Sequence, residues 1–297
     1  MNAKLESEKN LSIIRALDLA IGIFKEKNII SSRTDAEVLL AGILSRNITY
    51  LYANPEVILD KNKLEDYWEF VNRRSTFEPV AYILGEKWFY GHKFYVDANV
   101  LIPRPETEIL VELVLKECSF RGIDKSLRLL DLGTGSGCIS ISLALAKNFY
   151  VESWEISLEA IKVAIKNDSE LGAGVKILQK DMRKSDSWLC DQSEKFDIIV
   201  SNPPYVDRYD KELSESVIKF EPGIALFAES EGLEFFEIIA KNSSNVIKPG
   251  GKVFLEMGYS QHKKVKKIFE DYKWKNVKIL KDLNGINRFI SADFKDT

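Results

Sequence analysis

The stretch DIIVSNPPY, from Asp197 to Tyr205, runs an apolar strand straight into an asparagine and two prolines. Proline has no backbone N–H, so the strand must stop there. The side-chain oxygen of Asn202 and the carbonyl of Pro203 are then two adjacent acceptors with no local donor competing for them. Placed out of the plane of a conjugated amino group, such a pair pulls the nitrogen towards tetrahedral geometry and restores its lone pair as a nucleophile. Pro204 stiffens the backbone, and Tyr205 offers a flat apolar wall. No general base has to act first, because the proton can leave after the nitrogen has attacked an electrophile. The work is positioning and electrostatics. Alone, the motif is also readable as a strand-terminating turn without chemistry.

A second set of residues stands upstream. DLGTGSG, Asp131 to Gly137, puts glycines directly after an apolar strand and before a helix, where a ligand can approach the backbone. The spacing of Gly133, Gly135 and Gly137 does not meet the G-x-G-x-x-G dinucleotide fingerprint. Alternating after Asp131, these glycines suit the carboxylate and ammonium of S-adenosylmethionine rather than a pyrophosphate. A tight strand–helix turn is the plainer alternative. Glu155 ends the next strand about twenty residues on, where a carboxylate can accept both ribose hydroxyls. Asp181 and Met182 end the one after it. The aspartate can accept from an adenine amino group, and the methionine can pack on the ring. The two histidines and three scattered cysteines offer no metal site and no disulfide framework.

These residues need a scaffold that brings strand ends together. Ile13, Ile14, Leu17, Ile21 and Phe24 recur at helical spacing. TDAEVLLAGIL reads as a second helix with Thr34 and Glu37 as a capping box. KLEDYWEFVNRRS reads as a third, and no strand is expected before about residue 80. WFYGHKFYVDANV has hairpin character. A helix follows from Glu106, with Pro105 near its first position. Strands and helices alternate from there: LRLLDLG, CISISLALAK, YVESWEIS, LEAIKVAIKNDSEL, VKILQKD, FDIIVSN and EGLEFFEIIAKNSSNVI. PGG at 249–251 is expected as a turn before the strand KVFLEMG. SQHKKVKKIFEDY is a basic amphipathic helix, read as a solvated face, and VKILKDL and RFISADF are the closing strands. The expected fold class is therefore α/β, a doubly wound mostly parallel sheet with a small N-terminal helical domain. The expected domains are 1–85, helical and substrate-recognising; 86–105, a linker or β-hairpin; and 106–297, carrying the chemistry.

A net charge of −3 leans against a general nucleic-acid binder. No apolar run is long enough to span a membrane, and the N-terminus lacks the apolar core of a signal peptide. A cytoplasmic location is the expectation.

Taken together, DLGTGSG and NPPY resemble the class I S-adenosylmethionine-dependent methyltransferases that act on planar nitrogens. The stretch Glu78 to Glu108, with IPRPETE, and the C-terminal EMG and DLNGINRFISAD are similar to the release factor glutamine methyltransferases of the HemK type. The resemblance covers nearly the whole chain. It implies methyl transfer to the side-chain amide of the glutamine in the Gly-Gly-Gln motif of peptide chain release factors, with these proteins as partners and no membrane or direct nucleic-acid contact. It places the catalytic motif on Asn202, Pro203, Pro204 and Tyr205. Cofactor positions fall on Gly133, Thr134, Gly135, Ser136, Gly137, Glu155, Asp181, Met182 and Asn202. Arg104 and Glu106 would help order the cleft. The chain departs from the family in having Glu155 where aspartate is usual, Trp154 beside it, and no glycine before the GL of ALFAESEGLEFF. The rivals are an amino-methyltransferase for adenine in DNA or RNA, and a non-catalytic S-adenosylmethionine-binding adaptor.

Overall fold

Residues 10–120, 127–147, 149–189, 191, 194–210 and 213–294 are described by a computed structural model, which divides the chain into two units, Met1–Gly85 and Glu86–Thr297. The first nine residues and Cys190, both considered above, lie outside the described residues.

The first unit holds helices Ile13–Glu26, Ser32–Leu44, Ile48–Ala53, Lys61–Ser75 and Val80–Leu84. Their apolar faces converge on Ile13, Phe24, Leu39, Tyr67 and Val71, all fully buried. Each such side chain contributes roughly 1.5–3 kcal/mol by leaving water. The small residues Ala16 and Ala20 take inward positions, and Ile14 faces outward at 45% exposure. The second helix does not use the expected box. It begins at Ser32, before Thr34, and Ser31 Oγ donates to Asp35 Oδ2 at 2.7 Å. Asp35 is drawn there because it also accepts from Arg74 Nε at 2.7 Å, a tertiary demand that overrides the local capping pattern. The short helices at Ile48 and Val80 carry too few turns to show a period.

The second unit opens with a two-residue hairpin, β1 (Glu86–Phe89) against β2 (His92–Tyr95), turning through Tyr90 and Gly91 at φ of 48° and 79°. Positive φ at both turn positions matches the right-handed twist of the paired strands. The central sheet comprises β3 (Arg128–Leu132), β4 (Tyr150–Glu155), β5 (Lys176–Gln179), β6 (Phe196–Ser201), β9 (Ile247–Glu256), β10 (Lys275–Lys281) and β11 (Asn287–Asp293). A two-residue pair, β7 (Val206–Asp207) with β8 (Phe227–Ala228), stands apart. The sheet order is β10-β11-β9-β6-β3-β4-β5, parallel except at β11. The mostly parallel doubly wound sheet is as expected. The chain leaves β3 towards β4 on one side and later returns to β6 on the other, so a crevice opens at the carboxyl ends of β3 and β6. PGG is not a turn ahead of β9. It is an excursion within it, since Phe196 pairs with Ile247 and Ile198 with Lys252. Gly251 accommodates this because a Cβ there would stand 2.8 Å from the Lys248 carbonyl.

Candidate active site

Burial decides which polar groups matter at this crevice. Gly133, Gly135 and Gly137 all adopt positive φ (71°, 54° and 81°), which bends the loop back over the end of β3. Its backbone is pinned by N–H donation from Gly133 and Thr134 to the Trp154 carbonyl. The buried Asn167 side chain adds a clamp, donating to the carbonyls of Ser136 and Tyr95 and accepting from the Tyr95 N–H. Asp131 accepts from Thr134 Oγ1 at 2.6 Å through one oxygen, while Oδ1 is buried without a hydrogen-bond partner. Burial pushes the Asp131 carboxyl up to about 6, opposed by the Thr134 hydrogen bond and the neighbouring polar groups of Ser140.

Glu155 is almost fully buried. Oε2 accepts from the Gly135 N–H at 3.0 Å, and Oε1 accepts from the N–H groups of Ile156 and Ser157. The extra methylene over aspartate lets the carboxylate turn back onto the loop. Three backbone donors then occupy it, and one lone-pair position on Oε2 is left for a ligand hydroxyl. Burial alone would lift the Asp181 carboxyl, but the Arg183 N–H and guanidinium, each at 3.0 Å, outweigh it and hold it below its usual range. The Met182 carbonyl accepts from Trp188 Nε1 at 2.6 Å, which orients that turn.

A cleft of about 930 Å³ gathers Gly133, Thr134, Gly135, Ser136, Glu155, Asp181, Met182, Asn202 and Pro204 on its walls. Gly137 sits behind it: a Cβ there would meet Ile141 Cδ1 at 2.7 Å, so this glycine serves helix packing. Pro203 and Tyr205 face a second, wider cavity of about 1790 Å³, and Asn202 and Arg104 border both. The residues here fit S-adenosylmethionine. The buried oxygen of Asp131 lacks a donor that an ammonium supplies. The helix Cys138–Ala146 starts without a side-chain cap, which favours a carboxylate. Nothing lies within 4 Å of a Cβ built on Gly135, so a ligand can reach its backbone.

The Asn202 amide is held from behind. Its Nδ2 donates to Thr107 Oγ1 at 3.2 Å, and Thr107 Oγ1 donates to Glu256 Oε2 at 2.7 Å. Glu256 Oε1 accepts from the Tyr205 hydroxyl at 3.3 Å. Among the described residues, no hydrogen bond occupies Asn202 Oδ1 or the Pro203 carbonyl. Burial pushes the Glu256 carboxyl up to about 7, with Thr107, Arg288 and Tyr205 opposing and Glu106 adding to the rise. Burial, with the Glu256 charge, also raises the Tyr205 hydroxyl, so it stays protonated. Sequence reasoning missed the roles of Thr107 and Glu256. Yet Glu256 ends β9 next to β6, one residue past the Ser201–Leu255 pair, and a polar residue at the carboxyl end of a buried strand is the available signal. Arg104 Nη2 donates to the buried Glu221 at 2.5 Å, tying IPRPETE to the segment that carries Ile224 and Ala225 to the cleft.

Comparison with known proteins accords with this geometry. Residues 15–85 match the PrmC N-terminal domain family and residues 105–220 the methyltransferase small domain family. A release factor glutamine methyltransferase of Leptospira interrogans is 41% identical, over 94% of this chain and 97% of that one. The chain belongs to the release factor glutamine methyltransferase family. A Francisella tularensis member is 36% identical over 95% of this chain and 98% of its own. Against Rickettsia proteins named bifunctional methyltransferase the chain spans about half their length, as with the 37% identical Rickettsia conorii protein, 57% of which is covered. The solved catalytic domain of hMettl16 shares the fold, with a TM-score of 0.54 at 15% identity over 82% of this chain and 85% of that one.

Proposed function

We propose that this chain methylates the side-chain amide nitrogen of a glutamine, that of the Gly-Gly-Gln motif in peptide chain release factors, using S-adenosylmethionine. The observation that carries this reading is the pair of open acceptors, Asn202 Oδ1 and the Pro203 carbonyl, with Asn202 bordering both cavities and Pro203 the wider one. When bound, S-adenosylmethionine supplies an electrophilic methyl on a sulfonium centre. The glycine loop receives its amino-acid end, with Asp131 for the ammonium, Glu155 for a ribose hydroxyl, and Asp181 and Met182 for the adenine. The two acceptors receive the glutamine N–H bonds out of the amide plane, which draws the nitrogen lone pair out of conjugation, and Tyr205 walls the substrate side. The proton leaves after the nitrogen has become cationic, so no side chain has to act as a strong base. The site works by fixed acceptors in a pocket partly shielded from water.

A planar amide is a common group, so choice among glutamines must come from contacts away from the acceptors. The helical unit is the proposed source. An interface of ordinary size uses roughly 20–30 residues a side, which a unit of that length can contribute. The proposed location is the cytoplasm, where release factors act. No described helix is long and apolar enough to cross a membrane.

The test is transfer of labelled methyl to purified release factor, with mass spectrometry of the modified residue. Glutamine methylation lost in Asn202→Ala is expected, and methylation of adenine oligonucleotides in preference to release factor would overturn the substrate class. A chain starting at Glu86 should bind S-adenosylmethionine but show a raised KM for release factor, because remote binding energy is lost. An unchanged KM would remove recognition from the helical unit.

A further inference from the structure

We propose that Glu256 is a positioning residue that, acting through Thr107, fixes which end of the Asn202 amide faces the cleft. The proposal rests on the reading of Asn202 as the acceptor for the substrate nitrogen. An amide side chain has a donor end and an acceptor end of nearly equal shape, and only the acceptor end can bind an N–H. A threonine hydroxyl between an asparagine and a carboxylate has one proton to give. An ionised carboxylate is acceptor-only, so Thr107 gives that proton to Glu256 Oε2, at 2.7 Å. Its oxygen can then only accept from Asn202, which matches the Nδ2 contact at 3.2 Å. The oxygen of Asn202 is thereby turned to the other side. Three residues from three elements form a one-way chain: β9 ends in Glu256, the helix Pro105–Phe120 carries Thr107, and Asn202 follows β6. Thr107 and Glu256 are both buried, at 2% and 1% exposure, so water does not scramble the order. The Tyr205 hydroxyl donates to the other oxygen of Glu256 and holds the carboxylate from the substrate side.

The chain can run backwards. A protonated Glu256 could donate to Thr107, which would then donate to Asn202 and draw Oδ1 away from the cleft. The groups bearing on this balance are Arg288 on β11, Tyr205 beyond β6, Glu106 on the Thr107 helix, and the thiol of Cys138, which is pushed up to about 12 by burial and so stays neutral. Arg288 is itself committed to Asp282, its Nε donating at 3.1 Å, so it attracts the Glu256 charge without a direct bond. With Glu256 titrating at about 7, wild-type kcat should fall as pH drops through that region, because the reversed chain gains population.

The experiment measures kcat, KM for release factor and Kd for S-adenosylmethionine in Thr107→Val, Thr107→Ser, Glu256→Gln and the Thr107→Val/Glu256→Gln double variant. Thr107→Val preserves shape but breaks the chain, and kcat should fall about tenfold to a hundredfold while Kd stays within about twofold. Thr107→Ser keeps the hydroxyl and should stay within about threefold of wild type. Glu256→Gln loses the one-way sense, so its kcat should be low and flat between about pH 6 and 8, where wild type rises. The double variant should be no worse than the weaker single. Losses that multiply in the double variant, or a wild-type kcat in Thr107→Val, would overturn the proposal. So would an acid limb that persists unchanged in Glu256→Gln. Full activity in Asn202→Ala would instead bring down the reading of the site on which the proposal rests.

Discussion

The glycine loop and the asparagine motif stand at the carboxyl ends of neighbouring strands, β3 and β6, yet their polar atoms are used in opposite ways. On the β3 side a buried carboxylate oxygen of Asp131 has no partner, and the space a Cβ would take at Gly135 is empty towards the cleft. A group left like that costs about 1–3 kcal/mol until something donates to it. This half is completed by its ligand. On the β6 side the amide, the hydroxyl and the carboxylate of Asn202, Thr107 and Glu256 already satisfy one another. This half is set in advance, and only the two acceptors for the substrate are left open. The difference is suited to the two tasks. On the proposed reading, a cofactor with charged ends supplies the missing charge-assisted hydrogen bonds itself, whereas an uncharged amide nitrogen needs acceptors already fixed in place around it.

The strongest way to break the comparison is Asn202→Ala. On the β6 side it should lower kcat about a hundredfold or more while leaving Kd for S-adenosylmethionine within about twofold, measured by methyl transfer and calorimetry. A matched loss of cofactor affinity would mean that the two halves are not separable.

Glu256→Gln sharpens it through stability. Burial raises this carboxyl from 4.5 to about 7, so the folded state binds the proton more tightly than the unfolded chain does. Wild-type stability from this group is therefore fully present below about pH 4.5 and declines as pH rises towards 7. The glutamine variant lacks that decline. Its denaturant midpoint relative to wild type should rise between pH 5 and 8, by at most about 3 kcal/mol in stability. A constant difference across that range would show that Glu256 is not under the strain of burial. A variant that is more stable yet slower would mark the carboxylate as kept for positioning.

On the β3 side, Glu155→Ala removes the acceptor for three backbone N–H groups and, with it, the one lone-pair position proposed for a ribose hydroxyl. Cofactor affinity should fall about tenfold to a hundredfold, with kcat at saturating cofactor changed much less. Unchanged calorimetric affinity would remove Glu155 from the cofactor half.

The smallest effect is expected at Ser230→Gly. Ser230, Glu231 and Gly232 all take positive φ (56°, 58° and 79°), and a Cβ at Gly232 would stand 2.1 Å from the Tyr205 carbonyl. Only the third position has the glycine that this backbone favours. Relieving Ser230 should add about 1 kcal/mol, seen as a rise of roughly 2–4 °C in Tm. Gln261 Nε2, which donates to the carbonyls of Tyr205 and Glu231, holds the segment in place meanwhile.

Sequence alone determined the parts governed by local rules. Alternating apolar runs and helical periods defined the parallel sheet, because each element has to bury one face. The glycines after β3 and the prolines after β6 marked the two halves of the cleft, because backbone conformation and missing donors are properties of the residues themselves. Tertiary structure decided what depends on partners far apart in the chain. Asp35 serves Arg74 rather than a capping box, PGG becomes an excursion inside β9 rather than a turn before it, and Gly137 packs against Ile141 while Gly135 faces the cleft. Thr107 stands 95 residues before Asn202 and 149 before Glu256. Nothing in their local sequence says that one hydroxyl will bridge the other two. Only the shared burial of three element ends, with no water to substitute, makes a directed chain from an ordinary threonine and an ordinary glutamate.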